Sequence, residues 1–261
     1  MLNVLRFDFY KLTRSKKLKV FYIIAAAALL IINLINYFTI DRKGTSVLGM
    51  MRFSYNVSCG VLIVFFVAFF VGEDFLSGYI KNIYANTNKL YYVLSKIIYI
   101  AAFCFALWIW IALVCSLLVY VSGARCFINE EDYRQFVYQG YEKSEAQSAF
   151  LQEIFTLFAL EFLGFLAMGA ITMFLVSFFK SVTITSCVIV AYAFSISPIL
   201  TNALTAWSGG SVFFAYFLPF GSTQLKMMLL WQFVPFAAII FPFVSALFTF
   251  LTWVVVKYRR V

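Results

Sequence analysis

Long apolar runs separated by short polar breaks dominate the chain, and their lengths predict its elements. A helix that crosses a bilayer needs about 20 apolar residues, and five runs reach or approach that length: about Val20–Ile40, Val57–Gly72, Ile97–Val121, Phe150–Phe179 and Val182–Thr205. A sixth, about Val234–Val256, precedes the basic tail KYRRV. The expected fold is therefore all-α, a polytopic membrane protein of six spans forming one permease-sized domain over 1–261. Between spans five and six, residues 207–233 are apolar but interrupted by Gly209-Gly210 and Pro219-Phe220-Gly221. Neither half is long enough to cross, so a broken hairpin dipping into the outer face is expected, sheltered by protein as irregular backbone at membrane depth must be. Pro198 is expected to kink span five and Pro242 interrupts span six.

The polar segments carry the remaining pattern. Residues 1–19 place Leu2, Leu5, Phe9 and Leu12 on one helical stripe and Arg6, Lys11, Arg14 and Lys17 around the rest, which fits a helix lying along a bilayer surface. The run after it is too long for a signal-peptide core and is followed by DRKGTSV, so span one is read as retained. Residues 73–96 leave the membrane after Glu73-Asp74, yet Phe75, Leu76, Tyr79, Ile80 and Ile83 recur at spacings of three and four. A short amphipathic helix is expected there. The largest polar excursion is 122–149, and Lys180-Ser181 makes a tight turn between spans four and five.

Composition agrees with this reading. The chain is 64% hydrophobic and only 12% charged, against roughly 45–50% and about 25% in soluble domains. It contains no His, which removes the commonest general base and metal ligand. Nor does G-x-x-x-x-G-K-[ST], the phosphate cradle of many ATPases, occur in it. The five Cys show no C-x-x-C spacing and read as soft hydrophobes, the alternative being a bridge between Cys59 and Cys126. Net charge is +9, and its placement decides its meaning, because the bases flank apolar runs as in a membrane protein rather than clustering as in a nucleic-acid binder. With the amino terminus inside, thirteen bases and three acids fall on the inner side, seven bases and six acids on the outer side, and two glutamates within spans. That distribution satisfies the positive-inside rule with both termini cytoplasmic.

The order of basic amphipathic helix, six spans, short amphipathic helix in the first inner loop and broken apolar hairpin resembles the permease subunits of type-2 ATP-binding-cassette (ABC) exporters. NVLRFDFYKLTRSKKLKVFYI is similar to that family's opening, and GEDFLSGYIKNIYANTNKLYYVLSK to its loop after span two, with Glu73, Gly78, Lys81, Asn82, Ser95 and Lys96 at the matching positions. The family's small Thr-Leu after the Gly stands here as Tyr79-Ile80. The resemblance implies an elbow helix at the inner surface, carried by Leu5, Phe9, Leu12 and Arg14. It also implies a coupling helix seated in a cleft of a separate ATPase subunit, so that ATP and Mg are held by that partner and none by this chain. The partners implied are a cytoplasmic ABC ATPase, a second permease copy (identical or sibling) and membrane lipid, with no nucleic acid, in a bacterial cytoplasmic membrane. The cargo class is amphipathic or hydrophobic: a peptide antibiotic, toxin or lipid-like compound.

Physically, Phe75, Leu76, Tyr79, Ile80 and Ile83 suit a groove on a motor subunit while Glu73, Asp74 and Lys81 orient the helix at its rim; the plainer reading is a headgroup anchor. Glu161, about eleven residues into span four, is an intramembrane acid with either a pathway role or polar packing, and Glu153 sits nearer the interface. An ion-coupled carrier and a membrane-embedded lipid-modifying enzyme are the rival classes.

Overall fold

The computed structural model describes residues 2–39, 46–76, 88–121, 128, 130–192, 199–200, 203, 206–207 and 234–258; of these, the side chains of residues 36, 37, 39, 49, 52–59, 76, 131, 132 and 135 are outside the description. Eight helices with continuous bounds are defined among these residues: α1 Leu2–Arg14, α2 Lys16–Thr39, α3 Val47–Leu76, α4 Lys89–Val121, α5 Glu130–Tyr138, α6 Lys143–Phe179, α7 Val182–Ala191 and α8 Val234–Tyr258. Four segments are long and apolar enough to cross a membrane: Lys16–Ile35, Lys89–Val121, Lys143–Phe179 and Val234–Tyr258. The chain has the character of an all-α membrane protein.

Local chemistry sets the helix ends. Ser15 separates α1 from α2 and its Oγ accepts from the Leu18 amide at 3.4 Å, while Ala25–Ala28 supply strong helix formers within α2. Asn88 starts α4, its Oδ1 accepting from the Leu90 amide at 3.0 Å. Lys180 ends α6 in the left-handed region at φ 53°, and the Ser181 hydroxyl caps α7 by accepting from the Ile184 amide. This is the tight turn expected at Lys180-Ser181.

Three boundaries differ from expectation: residues 47–56 belong to α3, residues 89–96 to α4 and residues 143–149 to α6, where polar breaks are expected. Hydropathy measures apolar length and not helix length, so a helix that projects past the hydrocarbon is read too short. At 37 residues, α6 is roughly 55 Å long, well beyond the roughly 30 Å of hydrocarbon. The outer excursion also contains α5, which lies on α6 with Tyr133 buried and a surface Lys143–Glu130 pair. The continuous helix after Ser181 ends at Ala191, ten residues long, and most of the expected remainder of span five lies outside the described residues. So do the hairpin of 207–233 beyond Trp207, the amphipathic segment with Gly78, Tyr79, Ile80, Lys81, Asn82 and Ile83, the Leu76 and Cys59 side chains, and Cys126.

Helix α6 is the hub: it packs on α8, α3, α4 and α7. Close approach is made possible by small residues. A Cβ on Gly169 of α6 would stand 2.5 Å from Ile100 Cγ2 of α4, and one on Gly72 of α3 would overlap Val182 of α7. Several hydroxyls on the apolar helices turn back to their own backbone, as in Thr172 to Met168 O at 2.8 Å and Thr252 to Phe248 O at 2.7 Å. Glu153 and Glu161 of α6 are both buried.

The ends of the helices sort by charge. Ser15 bonds Glu73 at the end of α3, Lys96 pairs with Asp74, and Lys89 donates to Lys257 O at 3.1 Å. The starts of α2 and α4 and the ends of α3 and α8 therefore share one end of the bundle, which collects Lys16, Lys17, Lys89 and Lys257.

Candidate functional site: a buried ionic clasp under the amino-terminal helix

Helix α1 presents the reverse of a water-soluble amphipathic helix. Val4, Asp8 and Lys11 face the protein and are buried, whereas Leu2 and Phe9 are 72% and 61% exposed. Leu5 and Leu12 are half-buried, and Arg14 is exposed with its guanidinium 5.7 Å from the Tyr10 ring centre. The outward side of α1 thus carries apolar Leu2 and Phe9 together with the bases Arg6 and Arg14.

The inward face meets α3 and α4 in a closed set of charges. Lys11 Nζ lies 2.6 Å from Asp74 Oδ1. Lys96 Nζ lies 2.7 Å from Asp74 Oδ2 and 2.5 Å from Asp8 Oδ1. Tyr92 donates its hydroxyl to Asp74 Oδ2 at 3.0 Å, Ser95 donates to Asp8 Oδ2, and Lys11 also donates to Phe70 O at 2.5 Å. The Phe70 ring sits beneath both ammonium groups, 4.2 Å from Lys96 Nζ and 5.0 Å from Lys11 Nζ, in the geometry of a cation–π contact. Asp8, Asp74 and Lys96 are each no more than 1% exposed.

Two carboxylates and two ammonium groups cancel in formal charge. That balance is what makes the burial tolerable, because an isolated ion in such a place costs several kcal/mol. The partition is uneven, however. Burial pushes the Lys11 ammonium below the ordinary lysine value, with the like charge of Lys96 adding to the effect and Asp74 and Glu73 opposing it. Around the clasp, Ser15 donates to both Glu73 oxygens at 3.1 and 3.2 Å, and Tyr99 of α4 donates to Leu5 O of α1 at 2.8 Å. Above it, Phe21, Tyr22, Phe66 and Phe103 form an aromatic layer in which Phe66 and Phe103 stack at 3.8 Å.

Among the residues proposed from sequence, Asp74 is thus turned into the protein, Glu73 is half-buried beside Ser15, and Phe75 packs against the core. Lys96 and Ser95, noted only as closing the loop, join Asp74 at the centre. Lys11 reads in the sequence only as one of the bases around the α1 stripe, and Asp8 and Tyr92 carry no signal beyond an acid and a base at i and i+3 on an otherwise basic helix. Glu153 and Glu161 lie on α6, apart from the clasp residues. Each clasp carboxylate is already bonded to a lysine, and among the described residues no group of three or more metal-ligating side chains converges. The arrangement fastens α1, α3 and α4 together.

No family model matches the chain, and no curated protein or solved structure matches it either.

Proposed function

We propose that the chain is the membrane-spanning permease subunit of an ATP-driven ABC exporter of the type-2 class, moving an amphipathic or hydrophobic compound across or out of the cytoplasmic membrane. The observation that carries this reading is the clasp itself. It ties α1 to the last turn of α3 and to the first turns of α4, the two helices that flank residues 77–87. A push delivered to that segment by a cytoplasmic motor would reach α1, α3 and α4 as one body, which a coupling loop requires. The basic end of the bundle is the cytoplasmic side on the positive-inside rule. The chain carries no phosphate cradle, so hydrolysis belongs to a partner ATPase, and a second permease copy completes the transporter.

The test is co-purification with the candidate ATPase and measurement of its stimulation in lipid. Changing Phe75, Tyr79 and Ile83 together to Ser is expected to abolish both association and stimulation. Labelling of a thiol introduced at residue 80 from the outside of intact cells, or transport driven by a proton gradient without ATP, would refute the assignment.

A further inference from the structure

A groove of about 590 Å³ runs between the first turns of α4 and the second half of α8, with Leu166 of α6 also lining it. Its wall on α8 is the stripe of Pro242, Ala246, Thr249 and Trp253, and Ile97 faces it from α4. From Pro242 to Trp253 the wall is about 17 Å long, close to half of the roughly 30 Å hydrocarbon core and hence to one leaflet. No charged residue lines it. The Thr249 hydroxyl donates to Ser245 O at 2.6 Å, so the wall stays apolar at that level.

The charge stands at the mouth. Lys257, one turn beyond Trp253, is exposed, and its ammonium lies 4.7 Å from the centre of the Trp253 ring, at the end of the wall. Lys89 of α4 donates to Lys257 O at 3.1 Å, which joins the two sides there. No acid occurs in 77–96 or 234–261, the sequence on either side of the mouth. Asp8, Glu73 and Asp74, the acids that the described residues place at this end of the bundle, are bonded to Lys96, Ser15 and Lys11. The mouth is therefore positive and the depth apolar.

We infer that this groove holds one acyl chain of a phospholipid with net negative charge and no ammonium, of the phosphatidylglycerol type, drawn from the leaflet at the basic end. The chain lies along Pro242, Ala246 and Trp253, and the headgroup meets Lys257. Charge complementarity selects that headgroup. A zwitterionic lipid brings the same phosphate together with a cation, and repulsion between that cation and Lys257 offsets the attraction. Lys257 therefore sets the preference between headgroups, whereas the apolar wall sets whether a lipid is held at all. This inference uses the groove and its mouth alone and is independent of the exporter reading.

The experiment places the purified full chain in vesicles of phosphatidylglycerol and phosphatidylcholine in equal amounts and with identical chains, extracts it in mild detergent and weighs the retained lipid by native mass spectrometry. One lipid per chain is expected, with phosphatidylglycerol in excess. Lys257→Met is expected to lower the ratio of phosphatidylglycerol to phosphatidylcholine about fivefold, the effect of one base near an anionic headgroup, while one lipid is still retained. Lys257→Glu is expected to reverse the preference. Ala246 is exposed, so Ala246→Trp fills the groove from its open side and is expected to abolish retention of both lipids. Lys16→Met, exposed at the same end but outside the groove, is expected to leave the ratio unchanged. Equal retention of the two lipids by the wild type, a ratio that Lys257→Met does not move or that Lys16→Met moves as far, or full retention by Ala246→Trp would overturn the assignment. Lys257 is exposed, so a fold defect in the tryptophan variant leaves the lysine variants decisive.

Discussion

Lys96 and Asp8, eighty-eight residues apart in sequence, meet with Nζ 2.5 Å from Oδ1, and neither is more than 1% exposed. Lys96→Met would leave Asp8 and Asp74 buried with one ammonium between them. Removing one partner of such a pair costs about 3–5 kcal/mol, and thermal unfolding in detergent should show a loss of that order. Asp8→Asn keeps the Ser95 contact and loses less. The double variant is expected to be less damaging than the sum of the two, because the charges are removed together; strict additivity would show that the pair does not interact.

Lys11 gives a pH signature. Its folded-state value is lowered, so between that value and the ordinary lysine value the folded chain holds less of a proton at this site than the unfolded chain does. Stability rises with pH wherever the unfolded state binds more protons. The contribution of Lys11 therefore grows as the pH climbs from neutral toward about 10. Comparing melting temperatures of wild type and Lys11→Met across that range should show the difference shifting in favour of wild type. A shift the other way would mean that Asp74 and Glu73 outweigh desolvation.

Two glycines of α6 should respond oppositely to the same change. At Gly169 an added Cβ would meet Ile100 Cγ2 at 2.5 Å, whereas at Gly164 the nearest atoms, on Phe241, are 3.7 Å away. Gly169→Ala must push α4 and α6 apart, at a cost of about 1–3 kcal/mol. Gly164→Ala meets ordinary contact and gains the helix preference of Ala, about 0.5–1 kcal/mol. Melting temperatures of the two variants separate these outcomes, and equal effects would contradict the helix spacing.

How much of this was legible follows from what each signal measures. The amphipathic stripe of α1 is plain in Leu2, Leu5, Phe9 and Leu12, but which face is buried is not, since the stripe is the same whether its apolar side meets protein or lipid. The clasp needs Asp8, Asp74 and Lys96 brought together from three helices, and no local pattern reports contacts at such separations. Asp74 reads as the end of a span because charge interrupts hydropathy; in the structure it remains helical and buried because its charge is matched by Lys11 and Lys96. Gly169 shows the same limit: five residues from Gly164 it fits no small-x-x-x-small pattern, and its role depends on Ile100 of another helix. Where the determinant is local, as at Lys180-Ser181, sequence and structure agree.

That turn supplies the sharpest local test, because its two residues should move stability in opposite directions. Lys180 holds φ 53°, a region that a side chain with a Cβ enters at a cost of about 1 kcal/mol and that Gly enters freely. Lys180→Gly should therefore stabilise the folded chain by up to about 1 kcal/mol, less the entropy that Gly adds to the unfolded state. Ser181 is extended at φ −132° and its hydroxyl caps α7 through the Ile184 amide, so Ser181→Ala should cost about 1 kcal/mol. Ser181→Thr keeps the acceptor and should lie near wild type. Because α7 begins at this turn and Val182 stands against Gly72, fraying after Ser181→Ala should also loosen the α3–α7 contact, read as faster amide exchange through the first turns of α7. Equal melting temperatures for Ser181→Ala and Ser181→Thr would show that the cap contributes nothing and that packing on α3 alone holds the helix start.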